Sequence, residues 1–129
     1  MLHFLASGKP LKIARPTMTC KQWDVCVVPF PFVDSAVSKP RPVLIVSKDA
    51  FQMETGHFLA AMITTGSNTA WSGDTPIQDL KPTGLTTPSL IRLKLFTLDM
   101  QLSPRHIGEL SNSCRQNFLK SFSSYILSV

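Results

Sequence analysis

DVCVVPF, residues 24–30, reads as a β-strand, and the rest of the chain is best placed around it. Val25, Val27 and Val28 are β-branched and Phe30 is aromatic, which suits a pleated, half-buried surface. Pro29 and Pro31 lack the amide donor of a central ladder, so the strand is expected to end there. Residues 33–40 are small and polar and read as an exposed loop. Val43–Val46 (VLIV) is a continuous apolar run, the pattern of a strand buried on both faces. Asp49–Glu54 fits one helical turn, with Ser47 or Asp49 as its cap and Gly56 closing it. His57–Ile63 (HFLAAMI) fits strand or helix by period alone; its length and the TTGSN turn that follows favour strand.

Further along, Thr75–Ile77 is a short strand that Pro76 confines to an edge. Leu90–Leu98 alternates, with Ile91, Leu93 and Leu95 on one face and Arg92 and Lys94 on the other. His106–Leu110 is a last short strand or turn. Asn112–Leu127 is the one long helix expected, capped by Ser111 or Asn112. Cys114, Phe118, Phe122, Tyr125 and Ile126 form its apolar stripe. Short strands, turns and one terminal helix predict a mainly β fold with helices: a small barrel or curled sheet with a helix packed on it.

The chain has 129 residues, enough for one domain with a real core. Its net charge of +5 invites the idea of a polyanion partner. Of the 13 basic residues, however, Lys9, Lys12, Arg15 and Lys21 fall in the first 21, which hold no acid. The remainder carries 9 basic against 8 acidic residues, so functional charge there must be local. Residues 1–20, broken by Gly8, Pro10 and Pro16, read as a poorly ordered extension, and residues 21–129 as the working domain; Met18 is an alternative start. No apolar run approaches the roughly 20 residues of a membrane span, and a cytoplasmic protein is expected. Three cysteines without ligand spacing argue against a disulfide framework and a zinc site, and Cys26 and Cys114 read as inert core thiols. Scattered histidines (His3, His57, His106) give no metal cluster, and no phosphate-binding glycine motif is present, so neither metal nor cofactor is expected.

Candidate chemistry lies in a few places. In SAVSKPRP, residues 35–42, Arg41 stands between Pro40 and Pro42, so its backbone is restricted on both sides. Its guanidinium offers a rigid fork of donors that matches a phosphate, though a solvated loop arginine has the same composition. Thr64 and Thr65 follow the third strand and suit either a phosphate oxygen or ordinary turn chemistry. Arg92 and Lys94 suit a phosphate-tracking groove or the wet face of a sheet. Trp71, in the loop 67–73, suits a base stacker or an ordinary exposed or packed loop tryptophan. The aspartates show no paired spacing and no serine sits in a nucleophile elbow.

Taken together, WDVCVVPFPFVD, SKPRPVLIVSKDAF, AAMITTGS, GDTPIQDL, GLTTPSLIRLKLFTLD and IGELS, in this order and spacing, resemble the MazF/PemK-like toxins of type II toxin–antitoxin modules from about Trp23 onward. The resemblance implies a small SH3-like β-barrel of the MazF/CcdB type with a C-terminal helix, as a homodimer. It implies a metal-independent endoribonuclease that cuts single-stranded RNA to 2′,3′-cyclic phosphate and 5′-OH ends, and a cognate antitoxin that blocks the RNA groove. The family's catalytic arginine falls on Arg41 and its threonine on Thr64, while a family serine falls on Ser35 or Ser38. Lys39, Arg92 and Lys94 complete the expected RNA contacts. The alternative is a non-catalytic toxin of the same fold that binds a protein, as CcdB-like gyrase inhibitors do, or a degenerate copy. Two departures stand out: Trp23-Asp24 replaces the family's frequent Gly-Asp, and Phe96 stands where arginine is frequent.

Overall fold

The computed structural model describes residues 20–32, 36–65 and 69–128. Six strands form one antiparallel sheet: β1 (Asp24–Phe30), β2 (Lys39–Ile45), β3 (His57–Thr64), β4 (Thr75–Pro76), β5 (Leu90–Asp99) and β6 (Arg105–Glu109). Their order across the sheet is β4-β5-β3-β2-β1-β6. The sheet curls into a half-barrel. Helix α1 (Asp49–Thr55) joins β2 to β3, and helix α2 (Asn112–Tyr125) follows β6.

Alternation along the strands sorts the core onto two faces. Val25, Leu44, Ala61, Ile63, Ile91 and Leu93 lie on one, which α2 covers with Cys114 and Phe118. Cys26, Val28, Val43, Ile45, Phe58, Ala60 and Leu98 lie on the other, closed by Phe32, Phe96, Met100 and Leu102. Phe96, in the position where an arginine is frequent, packs its ring 4.7 Å from Phe32 and belongs to this apolar cluster.

Pro31 follows the last residue of β1, as expected, but Pro29 does not end the strand. Pro29 lies within β1 and pairs with Pro40 of β2. The reason is that β6 stops opposite Val27, so the far end of β1 is paired on one side only and a missing donor is harmless. The same holds for β2. It pairs with β3 only from Val43 to Ile45, so Pro40 and Pro42 fit in a stretch paired with β1 alone. Lys39, Pro40 and Arg41 are therefore strand, not loop.

Other expectations also need correction. Cys20 and Cys26 form a disulfide, and both are fully buried. Residue 20, counted from sequence with the extension, is thus part of the core. Helix α1 has Lys48 at its N-cap, and Ser47 instead accepts a hydrogen bond from the Leu59 amide at 2.9 Å. The apolar stripe of α2 is buried at Cys114 and Phe118, but Tyr125 and Ile126 are exposed. The cap at Ser111 is as expected, its hydroxyl accepting from the Cys114 amide at 3.4 Å.

Trp23 has φ 77°, the left-handed region that favours glycine. An L side chain there costs about 1–2 kcal/mol. The backbone is nevertheless pinned on both sides, donating to the Ile45 carbonyl at 2.8 Å and accepting from Leu110 N–H at 2.9 Å. The indole meets Phe118 edge-on at 6.1 Å, and that burial offsets the strain.

Candidate functional site

Arg41 lies on β2 and Thr64 ends β3, on strands that are neighbours in the sheet. The β2–β3 ladder pairs Val43 with Met62, Leu44 with Ala61 and Ile45 with Ala60. Continued two residues beyond its last rung, that register would set Arg41 level with Thr64. Both share the face of Val43 and Met62, because side chains alternate. Arg41 is exposed and opposite Val28 on its other side, so its guanidinium stands at the open rim of the second face. Thr64 ends β3 opposite Leu90 and is half-buried. Lys39, exposed and opposite Phe30, carries the same rim outward. Ser38 precedes β2 and is half-buried, while Ser35 lies outside the described residues.

The strand β5 adds two cations to this face. Its pairing with β3 skips from Leu95 opposite Ala61 to Arg92 opposite Met62, so Leu93 and Lys94 bulge. The alternation expected from sequence survives: Ile91 and Leu93 are buried on the helix-covered face, while Arg92 and Lys94 share the face of Thr64. Arg92 is not on a wet surface, however. It is 8% exposed, its Nε and Nη2 donate to the two Asp74 carboxylate oxygens at 3.0 and 2.8 Å, and Nη2 also donates to the Thr69 carbonyl at 2.9 Å. The hydrogen bonds to Asp74 hold this guanidinium above its ordinary pKa, against the opposing effect of burial. Sequence reasoning did not find this pair, because Asp74 lies 18 residues away across a loop and a turn. Lys94 is exposed, with Nζ 5.4 Å from the Trp71 ring centroid.

Imidazole does not reach this rim from the described residues. His57 opens β3, about 24 Å along the strand from Thr64, and faces Asp99. His106 sits against Asp24 on β6. No group of three or more His, Cys, Asp or Glu that could hold a metal occurs among the described residues. Nor is any helix among them long and apolar enough to cross a membrane.

A curled antiparallel half-barrel backed by a C-terminal helix is the fold of the MazF toxins. A MazE–MazF complex from Deinococcus radiodurans superposes with TM-score 0.66 at 14% identity, over 82% of this chain and 94% of that one. The Mycobacterium tuberculosis toxin MazF-mt6 gives 0.62 at 20% identity, over 78% and 93%. An endoribonuclease in complex with its cognate antitoxin from Mycobacterial species gives 0.61 at 17%, over 81% and 91%. At such identities the likeness is one of fold. Among curated protein sequences none matches. The family model described as the PemK-like, MazF-like toxin of type II toxin–antitoxin systems matches residues 21–122, and the chain belongs to that family.

Proposed function

We propose that this chain is a metal-independent endoribonuclease toxin that cuts single-stranded RNA, acting in the cytoplasm as a homodimer and restrained by a cognate antitoxin. The observation that supports the reading is the register of β2 and β3, which sets Arg41 and Thr64 on the same face of neighbouring strands. In the reaction, the ribose 2′-oxygen attacks the adjacent phosphorus and loses its proton, and the bond to the 5′-oxygen breaks. That oxygen takes up a proton, leaving a 2′,3′-cyclic phosphate and a 5′-OH.

The crowded phosphorane between these states carries two negative charges. A pre-aimed cation at that point is often the largest single contribution to rate. Arg41 suits it: its backbone is held by two prolines and a strand partner, and its fork matches two phosphate oxygens. A guanidinium is poorly suited to general acid or base work at neutral pH. Thr64 orients the phosphate, and Ser38 and Lys39 extend the contacts along the chain. Induced expression tests the reading against a protein-binding toxin of the same fold. Growth arrest with RNA fragments that bear 5′-OH ends supports it; arrest with intact RNA contradicts it.

A further inference from the structure

Trp71 stands on a turn held more firmly than an exposed side chain requires. The turn closes by a hydrogen bond from the Asp74 amide to the Trp71 carbonyl at 3.1 Å. Gly73 within it has φ +88°, and a Cβ added there would lie 2.5 Å from Leu93 Cδ1 and 3.1 Å from Tyr125 Cδ2. Glycine thus lets the turn press onto β5 and the end of α2. Arg92 ties both ends through Asp74 and the Thr69 carbonyl, while its Cζ lies 5.6 Å from the indole centroid. Yet Trp71 is 41% exposed. The surroundings fix the base of this side chain, set Arg92 and Lys94 against its ring, and leave the residue partly exposed.

The platform adjoins the cleavage rim. Arg92 pairs with Met62, two residues from Thr64 and on the same face. Strand geometry puts the Arg92 and Thr64 Cα atoms about 8 Å apart. With Arg92 neutralising Asp74, the cation left beside the ring among the described residues is Lys94. A flat aromatic surface with one unspent cation next to it matches a base and its phosphate, the pair that a single nucleic-acid strand presents repeatedly.

We propose that Trp71 is a stacking platform for a base next to the scissile phosphate, that Lys94 meets the adjoining phosphate, and that Arg92 and Asp74 are positioning residues for the ring. This rests on the ribonuclease reading and names a specificity element for it. On binding, the Lys94 ammonium exchanges its place over the indole for the phosphate, and the base takes the ring.

The test uses the full chain in chelator with a random-sequence 20-nucleotide single-stranded RNA made uncleavable by 2′-O-methylation, and a duplex of equal length as control. Tryptophan emission should be quenched saturably by the single strand. The quench should vanish in Trp71→Phe, where Trp23 against Phe118 is the remaining indole. Trp71→Ala should raise Kd by about 5- to 150-fold, the range of one lost base stack, and Trp71→Phe by much less. Asp74→Asn should weaken binding and shift the Trp71 emission maximum, which loss of a surface charge alone would not do. Unchanged Kd in Trp71→Ala, or a quench that persists in Trp71→Phe, overturns the platform. So does equal weakening toward duplex. If Trp71→Ala fails to fold by circular dichroism, the quench comparison with Trp71→Phe decides. Cleavage of natural RNA to 5′-OH ends, measured alongside, tells failure of the platform from failure of the ribonuclease reading itself.

Discussion

A guanidinium between two prolines has few backbone conformations from which to project. Arg41 shows why that matters, because its strand is paired on one side and open toward Thr64 on the other. If the fork itself binds the phosphorane, Arg41→Lys keeps the charge and loses the geometry. Single-turnover cleavage should then slow by about 10- to 100-fold; a rate close to the parent's would show that charge alone suffices. The restricted backbone of Arg41 was legible in sequence, since local proline chemistry is written in neighbouring residues, whereas its proposed role came from the family resemblance. Arg92 was legible only in part. Its face followed from alternation, but its partner Asp74 is brought to it by the fold. Cys20 and Cys26 were misread for a similar reason: a spacing of six matches no framework, and Cys20 fell in a stretch with no periodicity. Alkylation of the denatured, unreduced protein, read by intact mass, should modify one thiol, that of Cys114. Three modified thiols would contradict the pairing.

At the scale of elements, strands declare themselves through composition, and β1 runs over the residues expected of it. Strand ends and edges were harder, because they depend on which neighbour is present. Pro29, Pro40 and Pro42 are tolerated where one flank of the strand is empty, a fact about β6 and β3 rather than about the prolines. The stripe of α2 was correct in period but too long, since its burial does not extend to Tyr125 and Ile126. The helix should therefore be anchored unevenly. Phe118, 1% exposed and flanked by Trp23 and Phe122, should cost about 3–5 kcal/mol when changed to alanine. Ile126→Ala, at a residue 47% exposed, should stay within about 0.5 kcal/mol. Urea denaturation of the two variants checks this, and equal losses would contradict the packing described.

For the molecule as a whole, the charge of +5 divides unevenly. Lys9, Lys12 and Arg15 precede the matched region, while the rim at Arg41, Lys39 and Lys94 is a small set of placed cations. Deleting residues 1–17 should leave site-specific cleavage intact and flatten the salt dependence of non-specific single-strand binding. The log–log slope should fall by up to about 2, from three cations at about 0.7 each; lost cleavage would make the segment part of the machinery. The central claim is that the Arg41–Thr64 rim performs metal-free transesterification of RNA. Its most direct test is to incubate the purified chain with single-stranded RNA in excess chelator and determine the chemistry of both new ends. We expect 2′,3′-cyclic phosphate and 5′-OH termini that disappear in Arg41→Ala. Intact RNA, 5′-phosphate ends, or full activity in that variant would contradict the account.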